Sequence, residues 1–263
     1  MKTRQNNGAY EGIVADTYDL WFAGDSFEDT AFYEECMREV PGLALEIGCG
    51  TGRLLLPYLK KGLPVHGVEP SAEMREICKE KGAGDGVAPV VYDQWMQELD
   101  LPDTYKTIFI PLASFMLVAD WKEARKALEL MYAHLEEGGQ LIVPLFIPRE
   151  HLTAPKKEWT VRRVAEQPHG TTIVLNQASD LAFNEQIQTN WNRYEIYRDG
   201  ILTESSFASS KLRWYSRNEF WLMLEAAGLK DIEVYGGYDR SPLSNDGTFM
   251  IFRAWKRSSA QAE

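Results

Sequence analysis

The sequence predicts an α/β fold: a seven-stranded, mostly parallel sheet with helices on both faces, plus an inserted antiparallel β-subdomain. Three observations carry this expectation. Short apolar runs alternate with helical segments from Leu43 to Phe146, the signature of right-handed βαβ units. From about Glu158 to Tyr215 the texture changes to alternating, aromatic-rich segments, EWTVRRVAE, TTIVLNQ, QIQTNWNRYEIY and ILTESSFASSKLRWY. Beyond them a helix and two further apolar runs resume the α/β pattern.

The elements follow in order. Residues from about Ser26 to Val40 have helical apolar spacing through Phe27, Phe32, Cys36 and Met37, ended by Pro41–Gly42. LALEIG, Leu43 to Gly48, is a short apolar run stopped by glycine, as a buried strand is. Arg53 to Lys61 has helical spacing. Val65–Val68 is a second strand, and Ser71 caps the helix SAEMREICKEK. Ala88–Tyr92 and Thr107–Pro111 give the third and fourth strands. Asp120, with Glu123 three residues on, opens a helix to about Leu135. Glu137–Gly138–Gly139 reads as a turn before a fifth strand, Gln140–Phe146. In the insert, Asp199–Gly200 is a hairpin signal. Ser216-Arg-Asn-Glu219 is a capping box for a helix that Gly228 terminates. Asp231–Tyr235 and Thr248–Trp255 complete the sheet. The expected domains are therefore a core of residues 1–152 and 216–257 and an inserted lid or substrate subdomain of residues 153–215.

Composition narrows the function. Of 263 residues 44% are hydrophobic, and 39 Asp and Glu face 28 Lys and Arg for a formal charge of −11. Proteins that grip nucleic acid do so with Lys and Arg on phosphates, so this balance argues against such a partner. Cys36, Cys49 and Cys78 lie far apart without CxxC or zinc spacing, so no metal is expected. The opening MKTRQNNGAYEG lacks an apolar signal core. No run approaches the ~18 apolar residues of a membrane helix. The expectation is a cytoplasmic protein without a membrane partner, either a monomer or a homodimer.

The strongest motif is EIGCGTGR, Glu46 to Arg53, at a strand-to-helix turn. Glycines there let the backbone bend sharply and let a ligand approach without Cβ contacts. The dinucleotide fingerprint is GxGxxG/A. Here Gly48, Gly50 and Gly52 are spaced GxGxG, and Arg53 fills the third fingerprint position. A bulky side chain there obstructs close helix–strand packing, so the turn suits a ligand without a pyrophosphate. Glu69, ending the second strand, fits a carboxylate that accepts from both hydroxyls of a ribose. Asp93, after the third strand, fits an acceptor for an adenine amino group, with Trp95 or Met74 against the ring.

In these motifs the chain resembles the class I S-adenosylmethionine-dependent methyltransferases, a Rossmann-like family, over about Tyr18 to Lys256. The resemblance implies S-adenosylmethionine as cofactor and S-adenosylhomocysteine as product. It implies that Gly48, Gly50 and Gly52 hold the amino-acid part of the cofactor, Glu69 the ribose and Asp93 the adenine, with Pro70 and Met74 lining the adenosine pocket. Glu46, Cys49, Arg53, Gln94 and Trp95 join that set. FIPLASFMLV, Phe109 to Val118, resembles the motif after the fourth strand of small-molecule members and adds Pro111, Leu112 and Phe115. DNA- and glutamine-methylating members carry Asn/Asp-Pro-Pro-Tyr/Phe there, so a small-molecule acceptor is implied. Tyr18 falls where related enzymes fold an aromatic over the cofactor. It and His151, just after the fifth strand, are the candidate catalytic groups. Arg53 either salt-bridges locally or meets a carboxylate. Trp159, Trp191, Tyr194 and Trp214 either wall an acceptor pocket or are core. The expected reaction is in-line methyl transfer to a nitrogen or oxygen atom. The alternatives are a non-catalytic cofactor-binding module and an NAD(P)-dependent oxidoreductase.

Overall fold

The computed structural model describes residues 10–22, 28–148 and 157–257. The chain divides into two compact units, Met1–Ser26 with Pro148–Trp214, and Phe27–Ile147 with Tyr215–Glu263.

The larger unit is built on a seven-stranded sheet. Its strands are β1 (Ala44–Ile47), β2 (Val65–Val68), β3 (Val91–Tyr92), β4 (Tyr105–Phe109), β5 (Leu135–Phe146), β10 (Lys230–Tyr235) and β11 (Phe249–Trp255), in the order β10-β11-β5-β4-β1-β2-β3. β1 pairs in parallel with β2 and β4, while β11 runs antiparallel to both β5 and β10. The helices are α2 (Asp29–Glu39), α3 (Leu55–Lys60), α4 (Ala72–Gly84), α5 (Trp121–His134) and α6 (Arg217–Ala226). From β1 the chain builds outward through β2 and β3, then returns to add β4 on the other side. That reversal opens a crevice at the carboxyl ends of β1 and β4, where ligands of open α/β sheets bind. The core beneath is apolar, with Phe32, Cys36, Leu54, Tyr58 and Phe109 all buried in one cluster.

Local chemistry sets the boundaries. Ser71 accepts from the Met74 N–H, Asp120 from the Lys122 and Glu123 N–H groups, and Ser216 with Glu219 completes a capping box. α3 is shorter than its periodicity suggests, because residues 51–54 form turns that lead into it. β3 is two residues long where five were expected; Pro89 has no N–H to give to a ladder. Glu137–Gly138–Gly139, expected as a turn, lies within β5 where its register against β4 shifts. Gly138 has φ +74° there, the conformation of a glycine bulge.

The smaller unit holds α1 (Ile13–Phe22) and a four-stranded antiparallel sheet in sequence order: β6 (Thr160–Gln167), β7 (Thr171–Ala182), β8 (Ile187–Arg198) and β9 (Ile201–Arg213). Asp199 and Gly200 both take positive φ, as a two-residue hairpin with right-handed strand twist requires. His169–Gly170 does the same between β6 and β7. The sequence pattern places the amino-terminal segment with the core, whereas α1 groups with the insert. The reason is Trp21, which packs with Ile173, Leu175 and Tyr194, while Arg163 donates to the Trp21 carbonyl at 2.5 Å. Among the described residues no helix is long and apolar enough to cross a membrane.

Candidate functional site

The glycine turn leaves β1 with three left-handed residues, Gly48 at φ +73°, Gly50 at +55° and Gly52 at +86°. A side chain is costly at each of them. At Gly52 a Cβ would also stand 2.8 Å from Cys78 Sγ and from Leu56 Cγ. At Gly48 it would lie 3.4 Å from Ser114 Cβ, so the turns after β1 and β4 approach each other here. The turn is pinned to β2 because the Gly48 and Cys49 N–H groups both donate to the Val68 carbonyl, at 2.7 and 3.1 Å.

Glu69 organises the next step. One carboxylate oxygen accepts from the Gly50 N–H at 3.0 Å and the other from the Ser71 N–H at 2.8 Å. Each oxygen keeps acceptor capacity, since an ionised carboxylate offers about four lone-pair sites. Burial pushes the Glu69 carboxyl above its usual range, against the pull of those two N–H groups and of Arg75. Arg75, on the first turn of α4, donates to the Glu69 carbonyl at 2.7 Å and pairs with Asp93 at 2.7 Å. It ties the ends of β2 and β3 together, a role not expected from the sequence. Its signal is a place on the helix that Ser71 caps, one turn beyond the β2 end.

Glu46 is buried at the end of β1, and its Oε2 lacks a hydrogen-bond partner among the described residues. Burial raises its carboxyl well above the usual range; the Arg53 cation opposes this, and Asp29 and Glu69 add to it. Arg53 donates to both oxygens of fully buried Asp29, at 2.9 and 2.6 Å. Of the two readings open for Arg53, the local ion pair is the one seen. Asp29, 24 residues upstream, has no sequence signal of its own.

The remaining expected residues separate. Pro70 is half-buried and Met74 buried beside the Glu69 turn, while Asp93 and Trp95 are exposed after β3. The Gln94 amide is spent on both backbone groups of Asp100, at 2.9 and 2.8 Å, closing the loop 94–100. After β4, Leu112 and Ala113 have φ of +52° and +57°, a conformation non-glycine residues adopt at a cost and often at functional sites. Ser114 donates to the Pro111 carbonyl across this turn at 2.9 Å. Phe115, expected at the cofactor, is fully buried against Tyr215 and Phe220 and is a core residue in place. Cys49 is likewise buried, with burial holding its thiol protonated.

Tyr18 lies on α1 in the smaller unit, edge-on to Tyr10 at 5.7 Å. His151 lies outside the described residues. The insert's aromatics fall on different surfaces. Tyr194 and Trp214 are buried, the former against Trp21 and the latter beside Phe183, whereas Trp159 and Trp191 are exposed. His134 is half-buried and accepts from the Leu101 N–H at 3.0 Å. Among the described residues no three His, Cys, Asp or Glu side chains gather as a metal site.

A glycine turn at the β1 end and a carboxylate at the β2 end bound to that turn lie within residues 44–139, over which a family model described as a methyltransferase domain matches. Residues 44–139 thus match a methyltransferase domain. An uncharacterized methyltransferase of Bacillus cytotoxicus is 34% identical over 145 residues, covering 52% of this chain and 66% of the relative. A second relative, from Bacillus mycoides, is covered over 61% of its length. The chain thus spans less than two thirds of the curated relatives it matches. Two solved structures share the fold over nearly their whole lengths. The CcbJ methyltransferase of Streptomyces caelestis has a TM-score of 0.77 at 24% identity, covering 96% of this chain and 100% of that one. The sugar N-methyltransferase KedS8 of Streptoalloteichus has 0.76 at 21%, covering 98% of both.

Proposed function

We propose that the protein is an enzyme that transfers the methyl group of S-adenosylmethionine to a nitrogen or oxygen atom of a small-molecule acceptor by in-line displacement. Glu69 carries the reading. Its two oxygens each fix one backbone N–H of the surrounding turns and still have lone pairs to offer, which is the chemistry of a group that holds a ribose diol. Gly48, Gly50 and Gly52 would take the amino-acid end, and Met74 and Pro70 the adenosine.

The cofactor supplies a methyl already activated on a sulfonium. What this chain's residues then do is orient the two reactants, which can remove ~7–11 kcal/mol of barrier. An acceptor amine that arrives unprotonated needs no base; a hydroxyl does. KedS8 is described as a sugar N-methyltransferase, which supports an amine on a small polar molecule as the acceptor. The formal charge of −11 supports the choice of small molecule over nucleic acid.

The test is turnover. S-adenosylmethionine is incubated with the protein and panels of amino sugars, amines and phenols, and S-adenosylhomocysteine is quantified. Product that depends on one acceptor class supports the reading. Tight cofactor binding with no turnover across the panels supports a non-catalytic binding module instead.

A further inference from the structure

Asp29 stands on the first turn of α2, fully buried, and takes both terminal nitrogens of Arg53, the residue that follows the glycine turn. A two-pronged contact of this kind fixes the plane and direction of a guanidinium. The same turn of α2 is tied to α3 again by the Tyr58 hydroxyl, which donates to the Thr30 carbonyl at 2.9 Å. Two buried carboxylates lie in the field of Arg53, and the outcome differs between them. Asp29 holds the fork; Glu46 feels the cation and, among the described residues, keeps Oε2 without a hydrogen-bond partner.

We propose that Asp29 is a positioning residue that, by holding the Arg53 guanidinium, leaves the Glu46 carboxylate open to the ammonium group at the amino-acid end of the cofactor. The inference rests on the cofactor reading above. A buried carboxylate without a cation is expensive, and a nearby guanidinium is the natural remedy. Released from Asp29, Arg53 is drawn to Glu46, and a Glu46–Arg53 pair would occupy the oxygen the ammonium needs. The charged and titratable groups around Glu46 are Arg53, Asp29 and Glu69, with Tyr58, Cys49 and Cys78 also in its field.

Calorimetry with two ligands separates this role from simple support of the fold. S-adenosylhomocysteine carries the ammonium; 5′-methylthioadenosine has the same nucleoside thioether without the amino-acid end. Asp29→Asn is expected to weaken S-adenosylhomocysteine about tenfold or more while 5′-methylthioadenosine stays within about twofold. Arg53→Lys keeps the charge but loses the fork, and is expected to act in the same direction. The double variant Asp29→Asn/Glu46→Gln should bind S-adenosylhomocysteine no more weakly than Glu46→Gln alone, because both act through one carboxylate. Equal losses for both ligands, or an unchanged affinity for S-adenosylhomocysteine, would overturn the inference alone. Wild-type protein that binds neither ligand would overturn the cofactor reading and this inference with it.

Discussion

The two units use sequence differently. In the larger one, the candidate site sits at strand ends, where a turn of a few residues fixes both backbone and chemistry. Gly48, Gly50, Gly52 and Glu69 lie within 22 positions and meet through a hydrogen bond from Gly50 to Glu69. In the smaller unit no short motif marks a role. Its residues alternate between the two faces of a sheet, and whether an aromatic is anchor or surface depends on what packs on that face. Trp191 and Tyr194, three apart on β8, show this: the first is exposed and the second packs against Trp21.

Trp21→Ala tests the smaller unit most severely. Removing the ring that covers Ile173, Leu175 and Tyr194 is expected to cost about 3–5 kcal/mol, seen as a lowered unfolding transition in hydrogen exchange of β7 and β8. Protection that survives there would show that the insert draws its order from elsewhere.

Gly52→Ala sharpens the contrast from the other side. Its φ of +86° and a Cβ at 2.8 Å from Cys78 and Leu56 are expected to destabilise the fold by more than about 1 kcal/mol. The distortion falls on the turn itself, so S-adenosylhomocysteine affinity should drop about tenfold or more beyond what lost stability explains. A variant that melts lower but binds normally would place the ligand away from this turn.

The smallest effect expected is a pH dependence. Burial raises the Glu46 carboxyl above its ordinary value of 4.5. As pH rises past that value the unfolded chain releases the proton while the folded chain retains it. Wild-type stability therefore falls with pH across this window, and Glu46→Gln lacks the effect. In the ligand-free protein, melting curves should diverge in favour of Glu46→Gln as pH rises above about 4.5. Parallel profiles would mean that Glu46 is already ionised when folded.

The sheet and the turn were legible because both are local. Apolar runs with β-branched or small residues, capping residues at Ser71, Asp120 and Ser216, and glycine spacing are written in contiguous sequence. What was not legible depends on tertiary neighbours. Asp29 meets Arg53 across 24 residues, and nothing near Asp29 marks it as a buried carboxylate. Arg75 could be placed on a helix but not aimed. Phe115 shares a motif with Pro111 and Leu112, yet its ring is claimed by Tyr215 and Phe220, about a hundred positions on. Gln94 closes a loop on Asp100 that nothing in the contiguous sequence marks.

The central claim is that the β1 and β2 strand ends together hold the cofactor, and isothermal calorimetry on wild type and Glu69→Ala tests it most directly. The account predicts about micromolar binding of S-adenosylhomocysteine by wild type and a loss of about tenfold or more in the variant, at a melting temperature that shows both proteins folded. Equal affinity in the two proteins, or no binding by well-folded wild type, would contradict it.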